Sequence, residues 1–170
     1  LRYPRKWLEM ISKEGIHISA APNFAYERCA AQIEDLEGLD LSTWSMALNG
    51  SEAVSAETLD RFAARFGAVG FRRESFQPVY GLAEATLLAT SRVQGQPIRE
   101  RVLSVEEVAS GRGAGSSQTD ASGWSKRCVS VGCAPGDARL VVWNPTQQRV
   151  CNEAEVGEIL LAGPHCCTAY

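Results

Sequence analysis

The chain has 170 residues, a formal net charge of −3, 45% hydrophobic residues and 22% charged residues. This balance is typical of a folded globular protein and excludes disorder of the whole chain. Because nucleic-acid-binding domains are usually strongly basic, the mildly acidic charge argues against a nucleic-acid partner.

The first half of the chain predicts short strands that alternate with helices. Apolar residues three and four positions apart indicate helices, and short apolar runs indicate strands. The predicted helices are Tyr3–Lys13, Asn23–Leu36 and one that Ser55 caps and that runs to Phe66. The predicted strands are Ile16–Ala20, Trp44–Leu48 and Phe76–Tyr80. This alternation favours an α/β fold with a parallel sheet, in which ligands bind beyond the carboxyl ends of the strands.

The sequence becomes polar over residues 94–126. Only Val102–Ala109 has enough apolar residues to predict one short ordered element within this connection. The run Gly111–Ser117 is rich in glycine, but it lacks the Gly-Lys-Ser/Thr ending of a phosphate loop. We therefore favour a flexible loop there.

The last part of the chain predicts the start of a mostly antiparallel β module. Its predicted strands are Val129–Val131, Arg139–Trp143 and Val156–Ala162. The chain thus divides into an α/β part at residues 1–93, a polar connection at 94–126 and a β module at 127–170.

Composition also bears on the cellular compartment. The sequence contains no run of about 18 apolar residues, so it predicts no transmembrane segment. The six cysteines include no Cys-x-x-Cys pair. We therefore favour reduced thiols and a cytoplasmic location, with disulfides or a metal site as alternatives.

The segment Tyr80–Thr86 follows the third predicted strand and is the most informative candidate site. A tyrosine face can stack on a nucleobase, and a glycine lets the backbone approach phosphate or ribose closely. Glu84 beside phosphates can hold Mg²⁺, which prefers oxygen ligands and takes one or two carboxylates. Taken alone, the segment also fits a turn with an exposed glutamate.

Several motifs in a fixed order resemble the adenylate-forming superfamily of acyl-CoA synthetases, luciferases and nonribosomal adenylation domains. They are Met46–Glu52, Val79–Thr86 and Val156–Pro164. Three features resemble the fatty acyl-AMP ligases in particular. They are the run Ala21–Glu27, the motif YGLAEAT at Tyr80–Thr86 and the extra segment at 94–126. The chain starts at Leu1 and stops just after a strand-like run, so we expect a central piece of the large N-terminal domain.

The resemblance implies a nucleotide site at two strand ends. Asn49, Gly50 and Ser51 would line the adenine, Tyr80 would stack on its ring and Gly81 would lie against the nucleotide. These roles come from the family and not from the spacing of the residues.

The resemblance also implies a metal ligand and an acyl pocket. Glu84 would be the catalytic residue that holds Mg²⁺ at the phosphates, and Ala83 stands where the wider superfamily has a phosphate-binding threonine. Asn23 and Phe24 would border the acyl pocket, although Phe24 also fits simple core packing.

The family reaction uses ATP and Mg²⁺ to convert a fatty acid to an acyl-adenylate and pyrophosphate. The acyl group then passes to an acyl carrier protein or a fused polyketide or peptide synthase module, and the insertion disfavours coenzyme A. A long-chain acyl-CoA ligase and a degenerate, non-catalytic nucleotide-binding or interaction fragment remain as alternatives. We expect the 170-residue piece alone to form no acyl-adenylate, since the family's phosphate loop and catalytic lysine lie outside it.

Overall fold

The structure is a computed structural model that describes residues 2–111 and 125–167. The helices are α1 (Pro4–Glu14), α2 (Asn23–Gln32), α3 (Ala56–Phe66) and α4 (Val105–Ala109). The first strands are β1 (Ile18–Pro22), β2 (Met46–Gly50), β3 (Phe76–Tyr80) and β4 (Thr90–Ser91). They are followed by β5 (Glu100–Ser104), β6 (Ser125–Val129), β7 (Arg139–Asn144), β8 (Arg149–Val150) and β9 (Glu158–Ala162). None of the helices in these ranges is long and apolar enough to cross a membrane.

Three sheets make up the described part of the fold. The first has the order β1-β2-β3-β4, in which β1, β2 and β3 are parallel and β4 is antiparallel to β3. Strands β5 and β6 form an antiparallel pair, and β8-β7-β9 form an antiparallel sheet. The predicted α/β fold with a parallel sheet and a following antiparallel β module is therefore confirmed.

An aromatic cluster forms the core between the first sheet and its helices. Phe62 of α3 lies at its centre, with ring centroids 4.5 Å from Phe66, 4.8 Å from Phe71 and 5.3 Å from Tyr26. All four rings are almost fully buried. Phe62 meets Phe71 and Tyr26 edge to face, and Phe66 at a tilt of 45°. Aromatic pairs at these separations add to the stabilisation from burial, so this cluster fixes α3 against the sheet.

Strand β1 begins two residues later than predicted because the end of α1 uses the preceding residues. The amide of Ile16 donates to the carbonyl of Ile11 at 2.9 Å, next to a left-handed Gly15. This pattern closes the helix and keeps Ile16 out of the ladder. The strand also ends two residues later than predicted, at Pro22, which pairs with Gly50.

Helix α2 ends at Gln32, four residues earlier than predicted. The guanidinium of Arg65, on α3, donates to the carbonyl of Ile33 at 2.6 and 3.0 Å and to that of Glu34 at 2.7 Å. A side chain distant in sequence thus satisfies the carbonyls that would otherwise continue the helix.

The second strand also starts two residues late, at Met46 instead of Trp44. The amide of Trp44 donates to the carbonyl of Leu41 at 3.1 Å, so this residue belongs to a turn. Its indole is fully buried and donates to the carbonyl of Met46 at 3.1 Å. The apolar character of Trp44 therefore reflects core packing rather than strand pairing.

The polar connection contains two elements instead of the single one predicted. Strand β5 passes directly into α4, and Ser104 forms a reciprocal cap at the junction. Its amide donates to the carboxylate of Glu107 at 2.9 Å, and its hydroxyl accepts from the amide of Glu107 at 3.2 Å.

The strand predicted at Val129–Val131 instead lies at Ser125–Val129, because these residues pair with β5. Beyond Gly111, the predicted glycine-rich loop lies outside the described residues.

Two arginines and two carboxylates join the β5–β6 pair to the α/β part; we call these four residues the ion network. Arg127 of β6 donates to Asp60 of α3 at 2.8 Å and to Glu100 of β5 at 2.6 Å. Arg73 donates to the same two carboxylates, to Asp60 at 2.8 Å and also to Glu100. Each arginine bridges both acids, so the contacts close into a ring.

The ion network also sets the protonation of its acids. Partial burial raises the pKa of Glu100, but hydrogen bonds from Arg127 and Arg73 outweigh burial and lower it below its usual range. The same opposing causes lower the pKa of Asp60. A lowered folded-state pKa stabilises the fold at pH values above the unfolded pKa, and this stabilisation is lost as the pH falls.

Substitution of Phe62 by alanine tests the aromatic core. We expect Phe62→Ala to cost about 3–5 kcal/mol and to lower the melting temperature by several degrees, because it leaves a cavity among buried rings. The control Met10→Ala shortens a side chain that is 61% exposed and should change the melting temperature little. Equal effects of the two variants would contradict this description of the core.

The acid dependence of the ion network is tested with Glu100→Gln. We expect its melting temperature to lie below that of the wild type at pH 7, and this difference to shrink as the pH falls below about 4. Protonation of Glu100 in the wild type then removes the same interactions that the substitution removes. A difference that grows on acidification would refute the assignment.

Candidate functional site

The carboxyl ends of three parallel strands meet at one edge of the first sheet. Pro22 pairs with Gly50, and Asn49 pairs with Pro78. The residues after these strands therefore come together, as the general rule for ligand sites in parallel sheets requires.

Asn23 connects the segments at this edge. Its side-chain oxygen accepts from the side-chain amide of Asn49 at 3.2 Å and from the backbone amide of Ser55 at 3.1 Å. Its own amide donates to the hydroxyl of Thr58 at 3.3 Å. These three contacts hold the start of α2, the end of β2 and the start of α3 in place.

Asn49 is fully buried beneath the strand ends. Its amide nitrogen binds Asn23, but its oxygen has no hydrogen-bond partner among the described residues. An unsatisfied buried acceptor costs about 1–3 kcal/mol, so a partner for this oxygen would stabilise the fold.

Gly50 permits close contact between β2 and β3. A Cβ at this position would lie 2.7 Å from a methyl carbon of Val79 and 2.9 Å from its carbonyl oxygen. The next residue, Ser51, has a left-handed φ of 66°, which turns the chain away from the sheet. This turn leaves Ser51 exposed at the strand end.

The loop after β3 folds back tightly on itself. A Cβ on Gly81 would lie 1.7 Å from the carbonyl oxygen of Leu87, so a side chain cannot fit without a backbone shift. The amide of Ala89 donates to the carbonyl of Tyr80 at 2.9 Å and closes the loop. Glycine is thus required by the approach of two backbone segments.

The segment after β9 holds this loop from the other side. The hydroxyl of Thr86 donates to the carbonyl of His165, and the amide of Cys167 donates to the carbonyl of Glu84, both at 2.7 Å. Ala83 and Glu84 are exposed in a single 3₁₀ turn, Ala83–Ala85. The carboxylate of Glu84 is therefore presented at the surface by a loop that two chain segments hold.

A cavity of about 480 Å³ opens between these strand ends and β6. Its strand-end side includes Ser51, Val79, Tyr80 and Gly81, and its opposite side includes Arg127 and Cys128. Three of the predicted nucleotide-binding residues thus line one cavity, while Asn49 and Gly50, which are buried, and Ala83, which is exposed, do not line it.

The two residues predicted to border the acyl pocket do not line this cavity. Asn23 is committed to the hydrogen bonds described above. Phe24 is 45% exposed, so its side chain is not simple core packing. Its backbone amide donates to the carboxylate of Glu52, which does line the cavity.

Sequence reasoning missed the β6 side of the cavity. Lys126, Arg127 and Cys128 lie there because β6 pairs with β5, and a polar run such as Ser-Lys-Arg-Cys carries no strand signal of its own. Within the two described ranges, no three His, Cys, Asp or Glu side chains group to hold a metal ion.

Comparison with known proteins agrees with this geometry. The family model described as AMP-binding enzyme matches residues 1–170. The chain belongs to the AMP-binding enzyme family. Among curated proteins, it is 37% identical over 169 residues to the medium-chain-fatty-acid–[acyl-carrier-protein] ligase JamA of Moorena producens, covering 98% of the chain and 28% of that protein.

Two solved structures have the same fold as this chain. A fatty acid AMP ligase from Legionella pneumophila superposes with a TM-score of 0.88 at 37% identity, over 97% of this chain and 28% of that one. A fatty acyl-adenylate ligase from L. pneumophila, solved with acyl adenylate and pyrophosphate, gives a TM-score of 0.86 at 37% identity, over 97% and 29%. The chain thus spans a little more than a quarter of these proteins' lengths.

The tight loop after β3 can be tested with Gly81→Ala. We expect a lower melting temperature and faster hydrogen exchange at the Ala89 amide, because the new Cβ displaces the Leu87 carbonyl. Gly67→Ala is the control, since a Cβ there meets nothing within 4 Å and its φ of −60° suits alanine. If both variants leave the Ala89 amide equally protected, the described loop geometry is wrong.

Proposed function

We propose that the protein carrying this chain activates a fatty acid with ATP, releases pyrophosphate and passes the acyl group from acyl-adenylate to a carrier protein. The observation that carries this proposal is the cavity at the strand ends, lined by Ser51, Tyr80 and Gly81. The ligase names of the curated relatives and the acyl adenylate bound in one solved relative support the substrate class.

The nucleotide would occupy the cavity with its adenine against the ring of Tyr80. Gly81 and the turn at Ser51 leave backbone exposed to the base and ribose. By the family resemblance Asn49 would also line the adenine; its side-chain oxygen has no hydrogen-bond partner among the described residues, but the residue is buried and does not line the cavity. Gly50 lets β2 approach β3 closely enough for these groups to share one site.

Glu84 is the residue that would hold Mg²⁺ at the phosphates. It is an exposed carboxylate on an anchored loop, and Mg²⁺ commonly takes one or two carboxylates together with phosphate oxygens and water. The donor chemistry therefore fits the ion. An ion held there would supply neutralisation of phosphate charge for the attack of the fatty acid carboxylate on the α-phosphate. Ala83 has no hydroxyl, so any phosphate contact at its position would come from the backbone or from another residue.

The start of α2 would border the acyl pocket. Phe24 offers a half-exposed apolar ring, and Asn23 fixes the helix start that carries it. We propose a carrier protein as acceptor, alone or fused as a synthase module, and a cytoplasmic location for the enzyme. Residues 94–126 would be the insertion that disfavours coenzyme A.

The full-length protein provides the test of this function. With ATP, Mg²⁺ and a fatty acid, we expect pyrophosphate release and acyl-adenylate, followed by acylation of a phosphopantetheine-loaded carrier protein. Each step is measured by mass spectrometry, with coenzyme A as the competing acceptor. No acyl-adenylate across medium and long chains would refute the proposal, and preferential acyl-CoA formation would refute the proposed acceptor.

The role of Glu84 is tested with Glu84→Gln in the full-length protein. We expect adenylate formation to fall about 10²-fold and the Mg²⁺ concentration needed for half-maximal rate to rise, because a ligand charge is lost. Glu106→Gln, on the exposed face of α4, is the matched control and should retain the wild-type rate. A Glu84→Gln enzyme with normal rate and Mg²⁺ dependence would exclude the assignment.

A further inference from the structure

Strand β6 forms the side of the cavity that faces the predicted nucleotide-binding residues. Lys126, Arg127, Cys128 and Val129 line the same cavity as Ser51, Tyr80 and Gly81. The width of the cavity therefore depends on where β6 lies relative to the first sheet.

Three contacts fix β6 against the α/β part. Val129 packs on the aromatic core, and Cys128 forms an antiparallel bridge with Ser55 at the start of α3. The ion network supplies the third contact, through Arg127 and Asp60. The ion network acts directly beside the bridge at Cys128, one residue before it in the strand.

The ion network has the geometry of a positioning device. Arg127 reaches both acids with separate nitrogens, and a forked guanidinium fixes direction as well as distance. The side chains of the four residues are 20–42% exposed, so each ion pair alone contributes little to stability. A closed ring of weak ion pairs therefore restricts the position of β6 more than it stabilises the fold.

We propose that Arg127 is a positioning residue for the nucleotide: through Asp60 and Glu100 it holds β6 at the separation from Tyr80 that fits the adenine. This inference rests on the proposed function, because it takes the cavity as the nucleotide site. It assigns to a strand of the β5–β6 pair a role in ATP binding.

The first experiment compares Arg127→Met with Arg149→Met in the full-length protein. Arg149 also makes a two-pronged pair, with Glu155 at 2.8 and 3.0 Å, but it does not line the cavity. We expect Arg127→Met to raise the KM and Kd for ATP by about fivefold to tenfold with kcat within about twofold of wild type. Arg149→Met should leave all three at wild-type values.

A second experiment restores the position of β6 by another bond. Ser55 and Cys128 are opposed in an antiparallel bridge, a spacing that suits a disulfide. In the double variant Ser55→Cys/Arg127→Met, the introduced thiol and the thiol of Cys128 are oxidised to a disulfide. Oxidised glutathione takes up the two electrons and is itself reduced. We expect the disulfide, verified by peptide mapping, to return the KM for ATP towards wild type, and dithiothreitol to reverse this. Arg127→Met treated identically is the control.

The outcomes separate positioning from simple stabilisation. If Arg127→Met lowers the melting temperature but leaves the KM and Kd for ATP unchanged, the proposal is overturned. It is also overturned if the verified disulfide fails to lower the KM. Should the wild type bind ATP without forming adenylate, the proposed function fails while the Kd comparison still decides the role of Arg127. A wild type that binds no ATP overturns both.

Discussion

The side-chain amide of Asn23 joins the three chain segments on which the candidate site depends. It binds Asn49 at the end of β2 and both Ser55 and Thr58 at the start of α3. Because these bonds lie where parallel strands end, they determine how the following turns leave the sheet. The turn at Ser51 and the loop at Gly81 then open towards one cavity.

Two different kinds of interaction support this arrangement. Buried aromatic rings around Phe62 hold the helices on the first sheet through non-directional burial and edge-to-face contacts. The β5–β6 pair is instead joined at the surface by directional charges, Arg73 and Arg127 with their shared acids. The core thus determines the fold, and the ion network adjusts one side of the cavity.

Local sequence patterns predicted the elements that depend on local chemistry. Helix α3 lies at Ala56–Phe66 with Ser55 as its cap, and β3 lies at Phe76–Tyr80, both as expected. The rule that ligands bind beyond the carboxyl ends of parallel strands likewise indicated the segments at Ser51 and Tyr80, which line the cavity. The run Ser104-Val105-Glu106-Glu107 also has the pattern of a capping box, so the start of α4 is readable from the sequence.

The remaining features depend on contacts between residues distant in sequence. Arg65 ends α2 from another helix, and β6 is a strand because residues 100–104 pair with 125–129. A polar strand of this kind has no period that distinguishes it from a loop. The β6 side of the cavity, including Arg127, was therefore beyond reach of single-sequence patterns.

The most direct test of the central claim is a crystal structure of the full-length protein with a non-hydrolysable acyl-adenylate analogue. We expect the adenine in the cavity between Tyr80 and the turn at Ser51, with β6 on its open side. An analogue bound elsewhere, with this cavity empty, would contradict the assignment of the strand ends as the nucleotide site.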